Sequence, residues 1–324
     1  MAEKIMRKHM EERFGKVFNY SMTPPVPGSL NIELNNTCNQ ACVFCPFHGK
    51  YAINHPKPSK LDIEFVKKIL QQAANLGIGH KEVGFYLAGE AFLYKELPEV
   101  ICFAKQLGFK YTFITSNGVF ATPERMKSVI DAGLDSIRFS INANNRSSYK
   151  KIHQTDDYDL VIENLKFLKK YKEENSLNLA TSISCVITKE NYEIRKEMKS
   201  FFETLVDDVV LLPVLITRLK EQDLLKKEMA VLDNTGSKDS NYICPMLFDT
   251  MYINSDGMVV PCCNAYDTNL TFFDLNKDLD LEKAWNCNLY NRYRSIFVEK
   301  ASDDGTICKN CELRNNGLNS IFMD

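Results

Sequence analysis

No stretch of this sequence is long and apolar enough to cross a bilayer. The longest such run, VVLLPVLI at 209–216, falls well short of the roughly 20 residues a membrane helix needs. Residues 1–18 mix both charge signs without an apolar segment, which excludes a recognisable secretory signal and makes a cytoplasmic location the expectation. An excess of charge of one sign is lacking too. The 40 Lys and Arg against 42 Asp and Glu leave −2, so no global field draws the chain onto nucleic acid or an acidic membrane. There is one tryptophan, no internal repeat and no low-complexity tract. At 44% hydrophobic and 25% charged residues the composition is that of a globular protein, and 324 residues suggest two domains or one large domain with an appendage.

What the chain has in excess is cysteine, eleven in all. Disulfides seldom persist in a reducing cytosol, so clustered thiols point to metal binding or redox chemistry. Cys38, Cys42 and Cys45 form one group, and Cys244, Cys262, Cys263, Cys308 and Cys311 a second; Cys102, Cys185 and Cys287 stand alone. Alternation with Ile183 and Ile187 makes Cys185 a core residue, and Cys102, beside Ile101 and Phe103, reads as core as well.

Between the two groups, short β-branched runs alternate with longer amphipathic stretches, the signature of βα units and a parallel sheet. Six strands are predicted, over 30–34, 82–87, 111–115, 136–141, 178–187 and 209–212, with helices starting near Leu61, Glu96, Pro123, Tyr158 and Glu190. Six units are too few to close an eight-stranded barrel, so the fold class is α/β, a partial (β/α)6 TIM-like barrel, with an open twisted sheet as the other solution. Function then belongs at the C-terminal ends of the strands. Within them Asn31, Glu33 and Asn35, and Ser136, Arg138, Ser140 and Asn142, alternate with apolar residues, which predicts a polar inner wall around a wet chamber. Beyond a charged segment, 220–243, that reads as a linker, a hairpin is expected over 248–254 and 258–261, with Asp256-Gly257 at its turn, then a helix over 281–297.

The segment 36–46 spaces Cys38, Cys42 and Cys45 as C-x3-C-x2-C directly after the first strand. Three thiolates can hold three irons of a cube and leave the fourth open, whereas a zinc loop would need His48 or a distant cysteine to complete it. With Phe44 before the last cysteine, the loop resembles that of the radical S-adenosylmethionine (SAM) superfamily. The resemblance implies a [4Fe-4S] cluster on these three cysteines whose open iron is chelated by SAM, reductive cleavage to a 5′-deoxyadenosyl radical, and hydrogen abstraction from substrate. It also implies cofactor-binding roles at later strand ends. Gly89-Glu90 resembles the motif that receives the methionine amino group, with Ala88 and Ala91 in place of its glycine and proline. Asn117, in Thr-Ser-Asn-Gly, and Ser140, in Ser-Ile-Asn-Ala, are similar to two further cofactor contacts. Where members often carry an arginine this chain has His153, after Lys150 and Lys151, and a solvated helix face is an equal reading.

In the second group Cys244 is followed by Gly257 and Cys262 around the hairpin, then by the Cys308-x2-Cys311 knuckle. This resembles the SPASM auxiliary-cluster extension of the same superfamily, in its shortened twitch form, because no cysteine follows Cys311. The resemblance implies one auxiliary [4Fe-4S] cluster held by Cys244, Cys262, Cys308 and Cys311; a zinc ribbon is the structural alternative. Cys263 reads as a plain buried thiol. The expected organisation is an N-terminal helical extension 1–28, the barrel 29–219, the linker 220–243 and an α+β auxiliary-cluster domain 244–324.

The cysteine spacing is similar to that of members that oxidise an aminocyclitol alcohol, the 2-deoxy-scyllo-inosamine dehydrogenases. The resemblance therefore implies an oxidoreductase acting on a sugar, aminocyclitol or similar small molecule, with the auxiliary cluster accepting an electron and a flavodoxin- or ferredoxin-type protein supplying the first one. Neither nucleic acid nor membrane is an expected partner. Glu33, Asn35, Arg138, Asn142 and Arg218 are candidate substrate contacts, and no catalytic base can be chosen among them. A peptide- or protein-modifying radical enzyme is the alternative, and a cluster-bearing electron carrier the non-enzymatic one.

Overall fold

The computed structural model describes residues 20–217, 219–230, 243–265, 270–312 and 314. Residues 1–19, most of the expected extension, lie outside these, as do Arg218 and residues 231–242, half of the expected linker.

Six strands, β1 Ser29–Ile32, β2 Glu82–Phe85, β3 Thr112–Ser116, β4 Ser136–Ser140, β5 Ala180–Ile187 and β6 Asp208–Pro213, pair in parallel in chain order. Parallel neighbours need a crossover, and helices provide it: α1 Ile63–Leu76, α2 Leu97–Gln106, α3 Pro123–Asp131, α4 Arg146–His153, α5 Tyr158–Glu174 and α6 Arg195–Glu203. Local chemistry fixes their ends. Asp62 caps α1 by accepting from the Glu64 and Phe65 N–H groups, Gly77 closes it at φ 74°, and Val66, Ile69, Leu70 and Ala73 turn one face to the core. The helix α4 was not expected. Two adjacent lysines hide its periodicity, but Asn145 caps it and Tyr149, Ile152 and His153 are buried. Cys185 is fully buried as predicted, whereas Cys102 is only half-buried and takes a bond from the Gln106 amide.

The C-terminal part joins the same sheet. After α7 Gln222–Glu228 and α8 Met246–Asp249, β7 Thr250–Ile253 pairs in parallel with β1 on the side opposite β2, with Ser29 against Thr250 and Ile32 against Ile253. Strands β8 Met258–Val260 and β9 Phe273–Asp274 follow antiparallel, giving the order β6-β5-β4-β3-β2-β1-β7-β8-β9. The strand β1 is therefore interior, and all four of its residues are buried.

Two sequence expectations need correction here. Phe248 and Asp249 belong to the helical turn α8 opened by Pro245, not to the hairpin strand, and Asp249 reaches the Gly28 N–H and Lys81 instead. The helix expected over 281–297 is two, α9 Leu281–Trp285 and α10 Asn288–Val298. Cys287 takes an extended backbone between them, and the bend lets Trp285 pack on Tyr290 at 4.8 Å while its indole N–H donates to Pro25 O.

Candidate functional site

The loop after β1 carries Cys38, Cys42 and Cys45, and Gly49 closes it. A Cβ on Gly49 would stand 2.5 Å from the Cys42 carbonyl oxygen and 2.7 Å from that of Cys45. Two of the sulfurs are met by N–H groups, with Asn117 Nδ2 3.7 Å from Cys38 Sγ and the His48 backbone N 3.3 Å from Cys45 Sγ, and the His153 ring Nδ1 lies 3.5 Å from Cys42 Sγ. Such donors suit thiolates bound to iron. Burial pushes the Cys38 thiol up to about 11 and the Cys42 thiol higher still, with the neighbouring cysteines adding to both. In the free loop Cys38 and Cys42 are thus protonated at neutral pH and release protons when metal binds.

Among the described residues no three Cys, His or carboxylate groups converge as a single metal ion requires. A cube relaxes that demand, because each thiolate binds its own iron.

The other strand ends lock onto this loop. A Cβ on Gly89 would lie 2.2 Å from the Asn35 carbonyl oxygen, so only glycine lets the loop after β2 touch the loop after β1. Glu90 is 2% exposed, and its carboxylate accepts from the Phe92 N–H at 3.1 Å, Ser116 Oγ at 2.8 Å and the Asn117 N–H at 2.8 Å. It thereby ties β2 to β3, and burial raises its pKa against those bonds. Asn117 meets Cys38 and Asn39, while Ser140 stands half-buried at the end of β4. Phe44 packs on an apolar cluster made by Val214, Ile216 and Leu219, which follow β6, and Leu225 of α7.

His153 overturns the solvated-face reading: it is fully buried, and burial lowers its pKa to about 3. Lys150 and Lys151 do face solvent, near Asp156 and Glu190. Sequence reasoning missed the roles of Gln40, Gly49 and Tyr149, which carry no local signal.

The predicted wet wall is mostly internal cement. Glu33 accepts from the Ala88 N–H at 2.7 Å and the Ser255 N–H at 2.9 Å, joining β2's loop to the C-terminal hairpin. Asn35 serves Thr37 and Glu90, and Asn142 accepts from the Val186 N–H. Arg138 lies 4.0 Å from the Phe113 ring centre and beside Tyr111 and Asp208, at the strand starts rather than the expected functional end. Asn31 differs, since both its amide atoms are buried without a hydrogen-bond partner.

In the C-terminal part, Cys244, Cys262, Cys263, Cys308 and Cys311 line one cavity of about 340 Å³. Ile53, from the loop that follows Cys45, and Thr217, beyond β6, complete its wall. Burial and mutual repulsion push the Cys244, Cys262 and Cys308 thiols up. Cys263 shares this cavity and is only half-buried, contrary to its reading as a plain buried thiol. Glu312, next to Cys311, accepts from the Ile216 and Thr217 N–H groups and pins the tail to the barrel.

A family model described as the radical SAM superfamily matches residues 32–202, and SPASM, an iron-sulfur cluster-binding domain, matches 244–312. Among curated proteins, a probable GTP 3′,8-cyclase of Saccharolobus islandicus (strain M.14.25 / Kamchatka #1) is 29% identical over 270 residues, covering 79% of this chain and 78% of its own. Two solved structures share the fold. BtrN in complex with AdoMet and 2-DOIA is 14% identical with a TM-score of 0.54, over 91% of this chain and 94% of that one. Streptococcus suis SuiB bound to S-adenosylmethionine is 19% identical with a TM-score of 0.64, over 90% and 72%. This chain belongs to the radical SAM superfamily, with a C-terminal SPASM domain, and its cofactors are a SAM-binding [4Fe-4S] cluster and an auxiliary iron-sulfur cluster.

Proposed function

We propose that Cys38, Cys42 and Cys45 hold the SAM-binding cluster, that Cys244, Cys262, Cys308 and Cys311 hold the auxiliary one, and that the enzyme oxidises a polar small molecule of sugar or aminocyclitol type. The barrel is then 29–219 and the auxiliary-cluster domain 244–324. When bound, SAM and the clusters supply a 5′-deoxyadenosyl radical that takes a carbon-bound hydrogen, and an acceptor for the electron left behind. A flavodoxin- or ferredoxin-type donor would provide the initiating electron.

The observation that carries this reading is the shared wall of the second cavity. Thiols of the C-terminal domain face the same space as Ile53 and Thr217 of the barrel's loops, which supports electron passage between the reaction face and the second site. The chain's own residues do the holding. Asn117, His153 and the His48 N–H direct donors at the three sulfurs, and Glu90 keeps the ends of β2 and β3 in register with them. Ser140, half-buried at the end of β4, would offer a hydroxyl to SAM. Phe44 and the apolar cluster beneath it keep water from that side of the loop.

A second reading has its own support. The curated relative is a probable GTP 3′,8-cyclase across 79% of this chain, which favours a nucleotide substrate and ring closure instead of net oxidation. Anaerobically reconstituted protein, reduced with dithionite and given SAM with polyhydroxylated alcohols, aminocyclitols or GTP, distinguishes the two. An alcohol that loses two hydrogens as 5′-deoxyadenosine accumulates supports the oxidation. A cyclised product of unchanged mass supports the second reading, and no 5′-deoxyadenosine from fully loaded protein overturns both.

A further inference from the structure

His153 lies at the end of α4, far in sequence from the cysteine loop, and its ring stacks on Tyr149 at 4.1 Å with 13° between the planes. The Asn142 backbone N–H donates to its Nε2 at 3.2 Å, and Asn142 Nδ2 lies 3.2 Å from the same atom. The Asn142 amide is itself oriented, because its Oδ1 accepts from the Val186 N–H at 2.6 Å. A ring nitrogen that accepts N–H bonds carries no proton, so the proton of the imidazole is on Nδ1. That Nδ1–H has two acceptors within reach, Gln40 Oε1 at 2.9 Å and Cys42 Sγ at 3.5 Å. Gln40 is oriented in turn, since its Nε2 donates to the Tyr149 hydroxyl at 2.7 Å. The chain Val186, Asn142, His153 thus places the Nδ1–H between Gln40 Oε1, the nearer acceptor, and the Cys42 sulfur.

In the free thiol state Cys42 donates to Gln40 Oε1 at 3.6 Å. A thiolate has no such proton and can only accept, so the Nδ1–H to sulfur bond strengthens when metal replaces that proton. We infer that His153 is a built-in N–H donor to the Cys42 sulfur and holds the reduction potential of the SAM-binding cluster up. The inference rests on Cys42 being a cluster ligand. One-electron reduction adds negative charge to the cluster and its ligands, and an N–H directed at a ligand sulfur stabilises the reduced form more than the oxidised one. The electron comes from a low-potential one-electron donor, and no proton moves, because Nδ1–H stays on the ring. His153 is a positioning residue that acts through the sulfur.

The test is a dithionite redox titration, followed by EPR, of the signal that SAM shifts in the reconstituted holoenzyme. His153→Phe keeps a ring against Tyr149 and removes the N–H; His153→Gln returns an amide N–H. The phenylalanine variant is expected to lower the reduction equilibrium about tenfold, 59 mV for a one-electron couple, and the glutamine variant to recover most of it. Unmutated enzyme carrying ring-15N histidine supplies a measurement independent of folding, with a hyperfine coupling to one imidazole nitrogen expected on the reduced cluster. An unmoved potential in a fully iron-loaded phenylalanine variant, or no ring-nitrogen coupling beside an intact SAM-shifted signal, overturns the inference alone. Absence of any SAM-shifted signal in the unmutated protein overturns the ligand assignment and the inference with it.

Discussion

Cys38, Cys42 and Cys45 sit on one short loop and draw their surroundings from elsewhere, with the Asn117 amide and the His153 ring arriving from other elements. The cysteines of the second site are themselves dispersed over 244–311 and meet only when the hairpin, α10 and the tail have packed around the cavity. On the proposed ligand sets, the first site has its donors on one loop and their surroundings from the tertiary fold, whereas the second gathers its donors only through the tertiary fold. An open cluster needs a ligand loop that leaves one iron free and a fold that controls charge at the sulfurs. A closed cluster needs four ligands from a fold that holds them together.

That contrast can be broken most severely at the first loop. Cys38→Ala with Cys42→Ala and Cys45→Ala should abolish SAM cleavage while iron stays bound in the C-terminal domain, read by 5′-deoxyadenosine release and metal analysis. Retained cleavage would end the assignment. Cys308→Ala with Cys311→Ala should spare the SAM-shifted EPR signal and stop substrate turnover; unchanged turnover would make the second site structural. Gly89→Ala forces a Cβ to 2.2 Å from the Asn35 carbonyl oxygen and should destabilise the protein by about 1–3 kcal/mol, measured by denaturant unfolding. The smallest effect is expected from Cys263→Ser, which leaves Cys244, Cys262, Cys308 and Cys311 in place. Iron content and the auxiliary EPR signal should match the unmutated protein, and a loss of iron would make Cys263 a ligand.

The same distinction explains what could be read from the sequence. Cys38, Cys42, Phe44 and Cys45 are legible as a motif because they fall within eight positions of one another, and the six strands because β-branched runs announce themselves locally. Glu33 was misread as part of a wet wall because alternation reports only which face a side chain takes; whether two backbone N–H groups await it there depends on Ala88 and Ser255. His153 was masked by the lysines before it, and its meaning lies with Gln40 and Asn142. The break at Cys287 and the docking of β7 on β1 are likewise settled by partners distant in sequence, which no local pattern encodes.

The pairing of β7 with β1 also has a consequence for biosynthesis. Gly28 and Asp249, which meet beside this pair, are separated by 221 positions, so at the roughly 5–20 residues per second of translation the partner of β1 emerges about 10–45 s later. Throughout that interval the nascent barrel presents a strand with one open row of N–H and C=O groups, the kind of edge on which chains aggregate. The cysteine loop begins at the end of that strand, so its floor is complete only after the hairpin has left the ribosome.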